Sequence, residues 1–243
     1  MTTTEVVADP DALAEAAARL ALADLEAAVE EHGTATWVLA GGATPAAAYR
    51  RLAASDLRTG VEWDRIRVAM GDERCVPPDH PDSNWGQAAA ALLDHVPLPD
   101  ANRLRPAGEL PPGPAADAYE DALAGLPEAT AGVPRLELVW VGVGEDGHTL
   151  SLFPGRPEVE VADRLVVAVH GAPKPPPDRL SLTLAALAGA ERLLVLAAGP
   201  AKAGPVARAR VGADLPLTRA VEAVERAGGT VTWLLDRAAA GHA

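Results

Sequence analysis

The stretch Leu136-Glu137-Leu138-Val139-Trp140-Val141-Gly142-Val143-Gly144-Glu145-Asp146-Gly147-His148-Thr149-Leu150 decides how this chain is read. Its first part is a short apolar run of the kind that fills a buried parallel strand. Its second part is a glycine-rich loop that puts a carboxylate and an imidazole two residues apart. The loop therefore leaves the carboxyl end of a strand. In open α/β sheets that edge is where ligands bind, so Asp146 and His148 stand where chemistry is expected. Asp-Gly is also an ordinary turn signal and a loop histidine is often only solvated, so this segment alone leaves both readings open.

Working outward, the strand–loop–helix pattern recurs. Asp9-Pro10 opens an amphipathic Ala/Leu/Glu helix that ends near Gly33. Thr36 to Ala40 reads as a buried strand, followed by the turn Gly41-Gly42-Ala43-Thr44-Pro45 and a helix over Ala46 to Ala53. Ile66 to Met70 is a second such strand, with a polar loop from Gly71 to Asp82 and a helix from about Ser83 to Leu93. Pro106 to Pro114 reads as a surface loop, because the βα pattern resumes directly after it. Leu165 to Val169, Leu193 to Ala197 and Val231 to Leu235 are further strands, with helical segments between them. This alternation predicts an α/β fold: one Rossmann-like, three-layer α/β/α domain over residues 1–243, its mostly parallel sheet covered by helices on both faces.

Composition narrows the function classes. A net charge of −13 opposes non-specific binding to nucleic acid or to anionic lipid, and an aromatic content of 3% leaves few base-stacking platforms. The single cysteine, Cys75, excludes an internal disulfide framework and any multi-cysteine metal site, which suits a reducing cytoplasm. No run approaches the roughly 20 apolar residues of a membrane span. The expected protein is soluble and cytoplasmic, with a small-molecule partner and neither nucleic acid nor membrane; nothing in the pattern selects an oligomeric state. Of the 21 basic residues, the only lysines are Lys174 and Lys202.

Several loops carry candidate chemistry. Gly41-Gly42-Ala43-Thr44-Pro45 lies between a strand and a helix, where backbone N–H groups and the helix dipole favour an anion; it is equally readable as a tight turn. Asp72, Glu73 and Arg74 put charge at the end of the second strand, either facing the same crevice or forming a solvated turn. Asp82 or Ser83 reads as a helix cap, and Cys75 as a small semi-buried hydrophobe. Lys202 falls in the first turn of a helix, where a cation opposes the dipole and an anionic ligand relieves the conflict. Lys174, inside a proline stretch, is expected on the surface.

Taken together, AGGATP (Ala40–Pro45), GDERCVP (Gly71–Pro77), DSN (Asp82–Asn84), GVGEDGHTLSLFP (Gly142–Pro154), KPPPDRLSLT (Lys174–Thr183) and AAGPAKA (Ala197–Ala203) resemble, in order, the 6-phosphogluconolactonase family, within the group that includes glucosamine-6-phosphate deaminases. The resemblance implies a Rossmann-like fold and hydrolysis of 6-phospho-D-glucono-1,5-lactone to 6-phosphogluconate, a step of the oxidative pentose phosphate pathway, with no metal or organic cofactor. It implies that His148 is the base that deprotonates water, that Asp146 orients it or the sugar hydroxyls, and that Arg74 contacts the substrate or the developing oxyanion. Arg179 and Lys202, with the Gly41, Gly42, Ala43 and Thr44 backbone, are implied as the phosphate clamp, and Asp72 as ordering the site through Arg74. Ala40 and Ala43 depart from the family's frequent serines, and Cys75 from a frequent aromatic. A deaminase-like enzyme is one alternative, although Thr149 to Pro154 holds no carboxylate to open an amino-sugar ring. A non-enzymatic sugar-phosphate-binding regulator is the other.

Overall fold

The computed structural model describes residues 1–54, 56–130 and 132–241. The chain runs β1 (Thr2–Val7), α1 (Pro10–His32), β2 (Ala35–Leu39), α2 (Ala43–Ala54), β3 (Ile66–Met70), β4 (Asp72–Arg74) and α3 (Asn84–Ala88), which continues as a wider π-helical turn over Ala89–Leu93. There follow α4 (Pro112–Ala124), β5 (Glu128–Thr130), β6 (Val133–Pro134), β7 (Leu136–Gly142), β8 (Val166–Val169), β9 (Arg179–Leu182), α5 (Leu184–Leu187), β10 (Ala190–Ala197), α6 (Ala203–Arg210), α7 (Pro216–Arg226) and β11 (Thr230–Asp236). The helix boundaries follow local chemistry. The Asp9 carboxylate accepts from the Ala12 amide at 2.8 Å to start α1, and Gly33 ends it with φ +79°.

The main sheet has six strands, all parallel, in the order β1-β11-β10-β7-β2-β3. Side chains alternate between its two faces. Trp37, Leu39, Leu138 and Trp140 meet α1 and α2 on one side, while Val38, Val139, Val141 and Val195 meet α4 and α7 on the other. On the first side Trp37, Tyr49 and Trp140 form a ring cluster with centroids 5.0–5.8 Å apart. This is the expected α/β/α layering. The strand order reverses between β2 and β7, since β3 lies outside β2 whereas β10 and β11 extend beyond β7. At such a reversal successive loops leave in opposite directions and open a crevice at the carboxyl edge.

Two sequence expectations change. Leu165 to Val169 is not a strand of the main sheet; β8 pairs antiparallel with β9, which pairs antiparallel with β4, in a separate three-stranded sheet. The reason is the connection. A parallel return needs a long crossover, but the proline-rich link from His170 to Asp178 contains no helix and brings the chain straight back. The polar loop after β3 likewise contains a strand, β4, which the short, charged Asp-Glu-Arg sequence does not announce. β1 was also illegible as a strand, since its exposed TTTEVV sequence only joins the sheet edge beside β11.

Two buried tyrosines fix the strand ends from opposite faces. The Tyr49 hydroxyl accepts from the Ala40 N–H (2.9 Å) and donates to the Ala40 carbonyl (3.0 Å) just past β2. The Tyr119 hydroxyl does the same for Met70, at 2.7 and 2.8 Å, on the outer edge of β3. Burial pushes both phenols well above their ordinary pKa, so they act as neutral donors and acceptors. Tyr49→Phe or Tyr119→Phe strands a buried N–H and C=O together. Each is expected to lower the unfolding free energy by about 1–3 kcal/mol, measured by urea denaturation, with little change in the denaturant slope.

Candidate active site

A cleft of about 320 Å³ opens at the carboxyl edge between β2 and β7. Its lining includes Gly41 and Gly42 from the loop after β2, Asp72 and Arg74 from β4, Gly144 and His148 from the loop after β7, Lys174 and Arg179, and Lys202 after β10. The sheet therefore gathers residues that are far apart in sequence. Ala43 and Thr44 begin α2 and are not among the lining residues, so the glycines alone present that turn to the cleft.

The imidazole is held from three sides. Its Nδ1 lies 2.5 Å from Asp146 Oδ1, which also accepts the His148 backbone N–H at 3.1 Å. With Nδ1–H donating to the carboxylate, Nε2 carries the lone pair. The ring rests against Phe153, centroid to centroid 4.6 Å, and against the Gly144 backbone. A Cβ on Gly144 would lie 2.0 Å from Nδ1, so only glycine lets the ring sit there. Just beyond, buried Leu150 turns the chain with φ +54°, a left-handed conformation that costs a branched residue about 1–2 kcal/mol. Burial lowers the His148 pKa, and the hydrogen bond and charge of Asp146, with the charge of Asp72, only partly offset it. Burial also acts against ionised Asp146, but the hydrogen bonds from His148 outweigh it and hold the carboxyl below its usual range. The result is a neutral, oriented imidazole beside an ionised carboxylate at pH 7.

The loop after β3 has a division of labour that its sequence hides. Glu73 is 2% exposed and faces away from solvent chemistry. It accepts from the backbone N–H groups of Arg74, Asn84 and Trp85, each at 2.7 Å, and from the Ser83 hydroxyl at 3.1 Å. Burial raises its pKa, and these donors work against that rise. Ser83 itself caps α3 through Gly86, as its sequence position suggests. Asp72 meets the Ser151 hydroxyl at 2.7 Å; its carboxylate does not reach Arg74 in the way expected from sequence. Asn84 donates to the Asp72 carbonyl at 2.9 Å and lies so close to Gly41 that a Cβ there would be 2.0 Å from its Oδ1.

The cations are arranged unusually. β4 and β9 pair with Arg74 directly opposite Arg179, a like-charge pair that opposes sheet formation unless an anion lies between or near the two. Arg179 is buried on Phe153, with its guanidinium carbon 5.5 Å from the ring centroid, and burial lowers its pKa. Arg74 donates to the Asp82 carbonyl at 2.9 Å. Lys202 sits where α6 begins, on a loop fixed by buried Asp236, which accepts the Gly199 N–H at 2.9 Å. Ser151, Phe153 and Asp236 carry no signal in the sequence, because each acts through contacts that only the fold creates, and Glu73, which reads as part of a charged loop or solvated turn, is instead buried against the start of α3. Lys174 was noticed for its rarity but assigned to the surface; it is exposed, yet it borders the cleft. Cys75 is half-buried with its thiol pushed up to about 11, mainly by burial, and so behaves as the small hydrophobe expected. No helix among the described residues is long and apolar enough to cross a membrane.

Comparison with known proteins agrees with this architecture. Residues 8–233 match the family model described as glucosamine-6-phosphate isomerases/6-phosphogluconolactonase. The chain is 41% identical to the 6-phosphogluconolactonase of Streptomyces coelicolor over 239 residues, covering 96% of this chain and 91% of that one. It is 39% identical to the 6-phosphogluconolactonase of Mycobacterium tuberculosis, covering 97% and 96%. The solved 6-phosphogluconolactonase of Trypanosoma brucei superposes with a TM-score of 0.87 at 31% identity, covering 99% and 98%. With the crevice, the Asp146–His148 pair and these likenesses in hand, the chain belongs to the glucosamine-6-phosphate isomerase/6-phosphogluconolactonase family.

Proposed function

We propose that this protein is a 6-phosphogluconolactonase, a single-domain cytoplasmic enzyme that hydrolyses 6-phospho-D-glucono-1,5-lactone to 6-phosphogluconate. The observation that carries this reading is that the neutral, Asp146-oriented His148 opens onto the same cleft as Arg74, Arg179 and Lys202. A lactone carbonyl is already electrophilic, so the reaction needs a positioned water, a base and charge stabilisation. His148 Nε2 takes a proton from water as its oxygen attacks the lactone carbon, and the carbonyl electrons move onto oxygen. Collapse breaks the ring C–O bond, and the imidazolium returns its proton to the departing ring oxygen. The product carboxylic acid then ionises to solvent. Asp146 keeps Nε2 as the basic nitrogen and stabilises the transient imidazolium. Arg74 contacts the sugar. Lys202, the cleft-facing edge of Arg179 and the Gly41–Gly42 backbone receive the phosphate, while Asp72 orders the floor through Ser151.

The test of the function is acid release from freshly generated 6-phosphogluconolactone, followed at constant pH against the spontaneous rate. Rapid release without added metal or nucleotide is expected; no acceleration over the spontaneous rate overturns the proposal.

His148→Asn is expected to lower turnover by roughly 10²–10⁴-fold with the fold intact. Because His148 is shifted down, the acid limb of kcat/KM should fall below the ordinary histidine value of about 6.5. Asp146→Asn removes a charge that favours the protonated ring. It should move that limb still lower while also reducing the rate, and a limb that moves upward would contradict the pairing.

Lys202→Met is expected to cost about ten- to a hundred-fold in kcat/KM for the phosphorylated lactone, the worth of one charge-assisted hydrogen bond. Unphosphorylated gluconolactone should be hydrolysed as before. Equal losses on both substrates would remove Lys202 from the phosphate site.

A further inference from the structure

Arg179 does more than line the cleft. Its Nη2 donates to the carbonyls of Lys174 (2.8 Å) and Pro175 (3.2 Å), and its Nε donates to that of Pro176 (3.0 Å). Three successive carbonyls thus converge on one buried guanidinium, and the Ala172 N–H closes the loop on the Pro177 carbonyl at 2.8 Å. The guanidinium lies over Phe153, which in turn lies against the His148 ring. The loop that carries Lys174 is therefore moulded on the same support as the base. Lys174 lines the cleft together with His148, and among the described residues its ammonium has no ion pair or side-chain hydrogen bond.

We propose that Lys174 is a catalytic residue that stabilises the negative charge developing on the lactone carbonyl oxygen, from a loop whose shape Arg179 sets. This rests on the lactonase reading above. Three considerations place Lys174 at the carbonyl end of the substrate and not at the phosphate. It shares a support with His148 through Phe153 and Arg179, whereas Lys202 stands on the separate loop after β10. Its positive charge opposes protonation of the His148 ring, with which it shares the cleft. Finally, Arg179 has most of its donors committed to backbone carbonyls, so it cannot follow a moving charge. A lysine on a flexible stem can. When water attacks, the carbonyl electron pair moves to oxygen and the ammonium pairs with that oxyanion. After the ring C–O bond breaks, the same ammonium faces the product carboxylate, and Lys174 gains and loses no proton.

The experiment compares the purified full chain with its Lys174→Met, Lys174→Arg and Lys202→Met variants on 6-phosphogluconolactone and on unphosphorylated gluconolactone. Lys174→Met is expected to lose roughly 10²-fold in kcat on both lactones, the scale of one lost oxyanion donor. Lys174→Arg should recover part of that loss. Removing the cation also relieves its repulsion of the imidazolium, so the acid limb of Lys174→Met should move to higher pH. An unchanged thermal midpoint checks that the exposed side chain was not structural. Wild-type rates for Lys174→Met on both lactones overturn the proposal while leaving the lactonase reading intact. A loss confined to the phosphorylated lactone also overturns it and moves Lys174 to the phosphate site. A wild-type chain with no activity overturns the function itself.

Discussion

β2 and β7 pair side by side through Trp37 with Leu138 and Val38 with Val139, and it is across this pairing that the strand order reverses. All else in the site depends on that juxtaposition. It sends the Gly41–Gly42 turn and the Val143–His148 loop away from each other at the same edge of the sheet, and the space between them is the cleft. Both strands are buried on both faces, so packing holds the reversal rigidly in place. The Tyr49 and Tyr119 hydroxyls then tie down the backbone at the carboxyl ends of β2 and β3, where the ladder stops and loose ends would otherwise begin. A site assembled from loops acquires its precision from these fixed strand ends.

Electrostatics works at two ranges. The whole chain carries −13, which repels a phosphorylated anion at a distance. Salt reduces that repulsion beyond about 8 Å, so at contact the local cations dominate. Arg74, Lys174, Arg179 and Lys202 all border the cleft. The acidic residues near them are mostly turned to other work. Glu73 gathers backbone amides at the start of α3, Asp72 takes the Ser151 hydroxyl, and Asp236 holds the Gly199 amide. Their charges are spent on shaping loops, which leaves the cations to face a ligand.

Two opposed effects meet at His148. Desolvation disfavours the imidazolium and wins the balance, so the ring rests in the neutral form a general base requires. Asp146 offsets part of that cost and so lowers the penalty for protonating the ring. Without the carboxylate the ring would be neutral but poorly oriented and reluctant to accept a proton. Without burial the ring would spend more of its time already protonated.

The sequence by itself determined the central strands and the Asp146–His148 pair in the loop after β7. Apolar runs ending in glycine turns mark β2, β3 and β7, and the separation of Asp146 from His148 by one glycine is short enough for a local turn to join them. Such features depend on neighbours along the chain, which is why they are legible. The tertiary structure alone decided which distant loops share the cleft. The antiparallel register of β4 with β9 sets Arg74 against Arg179, and the carbonyls of residues 174–176 wrap the Arg179 guanidinium, turning a lysine that reads as surface into one at the site. Asp236 carries no local signal either, because its partner, the Gly199 amide, lies on another strand's loop. Contacts of this kind follow from strand order and register, and those are fixed by the packing of the whole core rather than by any one segment.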